Sequence, residues 1–134
     1  MPIQTLVERY TGPIGAANTA TTVSSKAVQS YERRKLSAVY VVYSANVSVS
    51  ATITINSGLG SDWDILVNTL AFSAERYGVY IPERALPVAV GDVIDILLPA
   101  GGSGITAVAT VLFDVEVDVD EERGYQAEPR MGAY

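Results

Sequence analysis

Residues Val47 to Asn56 read VSVSATITIN, a run in which apolar and polar side chains alternate. Valine, alanine or isoleucine fills every second position, and serine, threonine or asparagine fills the positions between them. Successive side chains of a β-strand point to opposite faces of the sheet, so this alternation predicts a half-buried strand. One face of that strand packs on a core, and the other face meets solvent.

A second alternating run, Val111 to Asp120, places valine and phenylalanine on one face and a ladder of carboxylates on the other: Asp114, Glu116, Asp118 and Asp120. Residues two apart on a strand lie about 6.5 to 7 Å apart, too far for neighbouring carboxylates to chelate one small cation unaided. A solvated sheet face is the simpler interpretation. The alternative is a docking strip for a basic partner, for which the candidates are a neighbouring copy's Arg33, Arg34 and Lys35.

The rest of the chain predicts further short strands and no convincing amphipathic helix. Leu36 to Tyr43 is apolar and β-branched, which predicts a strand buried on both faces, with a turn at residues 44–46. Further strands are predicted over residues 63–72, 77–81 and 105–120. Gly91-Asp92 predicts a bend or a tight hairpin between residues 88 and 98, and the glycines at 101–104 predict a reversal into the last strand.

Seven or eight strands with turn signals at this spacing favour an all-β fold, an antiparallel β-sandwich of jelly-roll type with extended N- and C-terminal arms. The 134 residues suit one domain. Residues 1–30 are predicted to form an N-terminal arm with one strand near Ile3 to Tyr10, residues 31–120 the sandwich, and residues 121–134 a C-terminal tail.

Composition excludes several functions. The chain has no Cys and no His, so the thiolate nucleophile, the commonest general base and the commonest transition-metal ligand are all absent. Its formal net charge of −6 argues against direct nucleic-acid binding, which depends on lysine and arginine. Residues 1–10 lack the features of a secretion signal, and Pro99 to Gly104 interrupts the uncharged stretch between Asp95 and Asp114, so no membrane association is predicted.

No catalytic motif is apparent. The two lysines lie far from any strained nucleophile turn, and the paired carboxylates line one strand rather than face each other. We therefore predict no enzymatic activity and no cofactor or metal. Asp62 and Asp64 leave one weak alternative, a calcium ion, but they lack the further ligands of a calcium-binding loop.

Aromatic residues allow two interpretations. Trp63, Tyr77 and Tyr80 could form a platform on which sugars stack, or Trp63 and Tyr77 could belong to the core, which we favour. Tyr40 and Tyr43 have opposite strand parity, so one of them is expected at a sheet or subunit contact. The tail is polar and aperiodic, and we expect it to dock on a neighbour through three anchors, Tyr125, Met131 and Tyr134.

About two-thirds of the chain resembles the small β-sandwich virion proteins of tailed bacteriophages. The resemblance rests on YERRKL at residues 31–36, on ATITINSG at residues 51–58, and on LPVAVGDVIDI at residues 86–96 followed by a glycine-rich hairpin. It implies a non-enzymatic structural role in a virus particle, and it brings no functional motif that assigns a site residue.

The predicted function is that of a capsid decoration or minor head protein, which acts through subunit contacts and clamping arms. Its partners would be other virion proteins and further copies of itself in a homo-oligomer, and its location the virion, assembled in the host cytoplasm. The alternative is a glycan-binding module of a phage tail or adhesion device.

Overall fold

The computed structural model describes residues 3–11 and 18–118, which form two antiparallel sheets. The strands are β1 (Ile3–Thr11), β2 (Thr21–Ser24), β3 (Glu32–Val47), β4 (Ser50–Asn56), β5 (Ile65–Ala71), β6 (Glu75–Tyr80), β7 (Leu86–Val88), β8 (Val93–Leu98) and β9 (Ala107–Asp118). Sheet A has the order β1-β9-β3-β6, with β7 also paired to β3. Sheet B has the order β2-β8-β4-β5.

The strand pairs are nested. β1 pairs with β9, β2 with β8, β3 with both β6 and β7, and β4 with β5. β6 and β7 pair with successive parts of β3 and so act as one interrupted strand. A chain whose first strand pairs with its last, and whose second pairs with the next to last, is a long antiparallel ribbon rolled into two sheets. This is a jelly roll, and the predicted fold class is confirmed.

The inner faces of the two sheets form one core. In β4 the residues Ala51, Ile53 and Ile55 are buried and their neighbours are not. In β9 the alternate residues from Val111 to Val117 are buried in the same way. The predicted alternation is confirmed over β4 and β9, because among the described residues each sheet is covered on one face. Residues 48–49, predicted to lie in the first of these strands, instead connect β3 to β4.

β3 differs from its prediction in two respects. It continues to Val47 through the predicted turn, and only one of its faces is fully buried. A bulge after Leu36 shifts the alternation, so that Val39, Val41 and Tyr43 face the core while Tyr40 is 40% exposed. The opposite placement of the two tyrosines is as predicted. The apolar outer residues of β3 suggested a strand covered on both sides, but no second layer packs on sheet A within the described residues.

The described part of residues 1–30 belongs to the sandwich. β1 pairs with β9 over its whole length, and β2 pairs with β8, so the two segments form edge strands of sheets A and B. Edge strands need backbone pairing on one side only, which a threonine-rich segment can supply. The predicted C-terminal tail, with Asp120, Tyr125, Met131 and Tyr134, lies outside the described residues, as do the side-chain contacts of Asp118.

Two predicted reversals are instead crossings between the sheets. Gly91-Asp92 joins β7 of sheet A to β8 of sheet B, and the glycines at 101–104 join β8 to β9. The predicted hairpin or bend at residues 91–92 is therefore wrong. Gly91 has a φ of 88°, a left-handed conformation that favours glycine. A Cβ added to Gly58 would lie only 2.8 Å from the carbonyl oxygen of Gly91, so the crossing requires glycine at both positions.

Gly78 provides a stability test of the packing between the sheets. A Cβ at this position would lie 2.6 Å from Cζ of Phe72, a buried ring that packs edge-on against Tyr43. We expect Gly78→Ala to destabilise the fold by about 1 to 3 kcal/mol in denaturant unfolding. The loss should shrink in a Phe72→Leu background, because the smaller side chain leaves room for the methyl group. Equal losses in both backgrounds would contradict this explanation.

Candidate functional site

The outer face of sheet A carries a charged strip, which we define as Arg33 and Lys35 of β3 with Asp114 and Glu116 of β9. The register of the two strands places Arg33 opposite Glu116 and Lys35 opposite Asp114. Directly opposite residues of an antiparallel pair project from the same face, so a basic column stands beside an acidic column. The four side chains line a shallow groove of about 420 Å³.

Pairing inside the strip is weak. Arg33 and Glu116 approach to 3.9 Å, with side chains 81% and 46% exposed, and such surface pairs contribute little to stability. Lys35 and Asp114 form no ion pair with each other or with other described residues. The outward orientation predicted for the carboxylates of β9 is confirmed for Asp114. The strip therefore presents charges of both signs to solvent.

Arg34 does not belong to this strip, although it was predicted together with Arg33 and Lys35 to contact a neighbouring copy. Its side chain is 2% exposed and lies between the sheets, where Nη2 donates to Glu8 at 2.7 Å and Nε donates to Glu32 at 3.0 Å. The guanidinium also stacks on the Phe113 ring, 5.0 Å from its centroid. Burial alone lowers the pKa of Arg34, but hydrogen bonds and charge from Glu32 and Glu8 outweigh it, so the pKa is raised.

Arg34 is thus a structural cation and is not available to a partner. The sequence contained the signal that separates it from Arg33 and Lys35, because adjacent strand residues point to opposite faces. That signal was lost because the strand was predicted to begin at Leu36, whereas β3 begins at Glu32.

An apolar patch adjoins the charged strip on the same face. We define the patch as the outward side chains Tyr40, Val42, Tyr77, Val79 and Ile81, which line a groove of about 370 Å³ together with parts of Val41 and Gly78. Tyr77 is 66% exposed, Val79 51% and Ile81 65%. The patch was not predicted from the sequence. The available signal was the strand predicted at residues 77–81, because Tyr77, Val79 and Ile81 share one face of it.

The three aromatic residues of the predicted sugar platform do not converge. Trp63 lies in a 3-10 turn before β5 and is 63% exposed, Tyr77 lies in the apolar patch, and Tyr80 is half-buried and packs against the core. Among the described residues, neither Trp63 nor Tyr80 lines the groove that contains Tyr77. The favoured core assignment of Trp63 and Tyr77 is wrong, because both stand outside the packed layer.

The acidic residues near the loop at residues 57–64 serve the backbone. Asp64 accepts a hydrogen bond from the Ser57 amide at 2.8 Å, and Asp92 accepts one from the Gly58 amide at 3.0 Å. The described residues contain no group of three or more acidic side chains arranged to hold a metal ion. Asp64 and Asp92 thus each cap a backbone amide of this loop, whereas Asp62, the other calcium candidate, is exposed in the 3-10 turn.

Comparisons with known proteins do not assign a function to this chain. A scan against protein-family models gives no match, and neither do searches of curated proteins and of solved structures. Within the described part of the chain, no helix has the length and apolar character needed to cross a membrane. Function is therefore inferred from the outer face of sheet A.

Proposed function

We propose that this chain is a non-enzymatic structural subunit of a phage particle, and that it works through protein contacts made by the outer face of sheet A. The observation that carries the proposal is the apolar patch. It lies on a regular sheet, where the backbone fixes the position of every side chain, and it adjoins charges that have no strong partner among the residues that the structure describes.

The exposure of the patch is the first support. Tyr77, Val79 and Ile81 are each more than half exposed and share one groove with Tyr40. Contiguous apolar side chains on a sheet face are uncommon in monomers and typically mark a contact with another protein. Tyrosine is enriched in such contacts because its ring buries a large area while its hydroxyl group can still form a hydrogen bond.

The chemistry of the same face is the second support. Its carboxylates, Asp114 and Glu116, stand beside cations in a shallow, open groove rather than in an enclosed pocket. Such an arrangement suits recognition by complementary charge better than acid–base catalysis. A sugar-binding role would need Trp63, Tyr77 and Tyr80 on one surface, and no observation favours it.

The resemblance to small virion proteins gives this contact role a setting. Within a particle, the proposed position is that of a capsid decoration or minor head protein, which assembles in the host cytoplasm and contacts other virion proteins. A jelly roll suits such a role because its two stacked sheets present broad, rigid outer faces.

Co-sedimentation tests the proposal. The chain is co-expressed with the capsid and tail proteins of its phage, and the fraction that travels with assembled particles is measured on a density gradient. We expect wild type to co-sediment and Tyr77→Ser to lower that fraction about tenfold, as removal of a central interface aromatic typically does. Leu97→Ser is the matched control, since Leu97 is 44% exposed on the outer face of sheet B.

Two outcomes would contradict the proposal. If wild-type protein stays at the top of the gradient whichever virion proteins it is co-expressed with, the structural role is rejected. Equal losses from Tyr77→Ser and Leu97→Ser would show that the contact does not depend on the apolar patch.

A further inference from the structure

One row of side chains across the outer face of sheet A is symmetric in character. Val7 of β1 pairs with Asp114 of β9, Asp114 with Lys35 of β3, and Lys35 with Pro87 of β7. All four side chains are exposed, and Val7 reaches 72%. From either edge the row therefore begins with an apolar residue, has two charges of opposite sign at its centre, and ends with an apolar residue.

A two-fold rotation matches this row to itself. If the axis runs parallel to the strands, between β3 and β9 and midway between two facing sheets, each row keeps its level and reverses its order. Lys35 then lies over Asp114 of the second copy, and Val7 lies over Pro87 of the second copy. In the next row, Arg33 lies over Glu116 of the second copy by the same operation.

We propose that the partner for which this face is built is a second copy of the same chain, docked face to face by this rotation. The inference rests on the proposed function, because it names the occupant of the contact surface described above. Both ion pairs between the copies form twice, as a two-fold interface requires.

The same rotation brings β3 and β9 of the apolar half over each other, while β6, which carries Tyr77 and Val79, comes to lie over β1 of the second copy. Rows further along β3 and β9 place Val42 beside Val108, Tyr40 beside Thr110 and Ala38 beside Leu112. After rotation Val42 lies over Val108 of the second copy and Tyr40 lies over Thr110 of the second copy. Ala38 is only 4% exposed, so Leu112 of the second copy meets a flat part of the sheet there. Val108, Thr110 and Leu112 on the outer side of β9 are half-buried, so they provide an even surface for the Tyr40 ring of the second copy.

The area of the face is consistent with a weak, specific pair. Four strands spaced about 4.8 Å apart and five rows spaced about 6.8 Å apart cover roughly 600 Å² per copy, or about 1,200 Å² for two copies, which lies at the lower limit for specific interfaces. The side chains of the apolar patch lie on or next to only two of the four strands, so the patch alone covers less than half of this face. The charged strip is therefore needed to complete the contact and to set its register.

Charge reversal tests the pairing. The full chain is measured by sedimentation velocity up to about 1 mM, a range that detects even weak pairs. We expect wild type to dimerise, and Lys35→Glu and Asp114→Lys each to weaken dimerisation at least tenfold, since each places like charges over each other twice. Lys26→Glu is the matched control, because it makes the same charge change on an exposed loop away from sheet A.

Mixing the two variants separates contacts between copies from effects within one chain. In a mixed pair, one chain carries Lys35→Glu and the other carries Asp114→Lys. The substituted residue 35 of the first chain, now acidic, faces the substituted residue 114 of the second chain, now basic. The unchanged Asp114 of the first chain faces the unchanged Lys35 of the second. Both ion pairs are restored, although each chain alone still holds like charges side by side. Both chains keep a net negative charge, so general attraction cannot account for recovery. We expect the mixture to dimerise as wild type does.

Three results would overturn the proposal: wild type that remains monomeric over the whole range, equal effects of Lys35→Glu and Lys26→Glu, or a mixture that stays monomeric. Monomeric wild type that still co-sediments with particles through Tyr77 would mean that another virion protein occupies the face. That outcome would leave the structural role intact and reject the second copy.

Discussion

Arg34→Ala is expected to lower the free energy of unfolding by about 3 to 5 kcal/mol, because it leaves the Glu32 carboxylate without its cation between the two sheets. The Glu32 side chain is only 5% exposed and receives the guanidinium through Nε at 3.0 Å and Nη2 at 3.3 Å. The change also removes the cation from above the Phe113 ring. Denaturant unfolding of the whole chain measures the loss.

Arg33→Ala is the matched control for this prediction. Arg33 is the adjacent residue of the same type, but its side chain is 81% exposed and its carboxylate partner is 3.9 Å away. We expect this variant to lie within about 0.5 kcal/mol of wild type. Arg34→Lys should fall between the two, since one ammonium group cannot reproduce the fork that reaches both Glu32 and Glu8. Similar losses for the two alanine variants would contradict the placement of Arg34.

Leu98→Ala is expected to cost about 2 to 5 kcal/mol. Leu98 is the last residue of β8, is fully buried, and belongs to the single core cluster that joins the two sheets. Its truncation removes the transfer free energy of the lost atoms and leaves a cavity between packed layers. The midpoint of denaturant unfolding should fall while the slope stays unchanged, because the area exposed on unfolding is nearly the same.

The neighbouring leucine provides the comparison. Leu97 points away from the core on the outer face of sheet B and is 44% exposed. Its truncation should cost no more than about 1 kcal/mol, since much of the side chain is hydrated in the folded state. A larger loss from Leu97→Ala than from Leu98→Ala would mean that the inner and outer faces of β8 have been exchanged.

Local periodicity was enough to predict the architecture. The alternation in β4 and β9 depends only on which face of a strand is covered, so it can be recognised without knowing the partner strand. The crossing at Gly91-Asp92 was misjudged for the opposite reason. A tight turn has the same local sequence whether the chain returns to its own sheet or passes to the other one.

The candidate site depends on information that local patterns do not contain. Lys35 and Asp114 become neighbours only through the register of β3 and β9, which are far apart in the sequence. The apolar patch required knowing that no layer covers the outer side of β3 in the described structure, where its apolar residues predicted burial on both faces. Tyr77 was wrongly predicted to lie in the core, because an aromatic residue in a strand is more often buried than exposed.

The nested pairing of the strands also determines the order in which the chain can complete its fold. Ile55 pairs with Ile65 across a short loop, whereas Ile3 pairs with Asp118 near the opposite end of the described chain. Closing a long loop costs more chain entropy than closing a short one, and topologies rich in distant pairs fold slowly. β9 lies between β1 and β3, so sheet A cannot close until that strand has left the ribosome. A nascent chain therefore carries an unfinished sheet, and the rows on which a second copy is proposed to dock come into register only in the completed molecule.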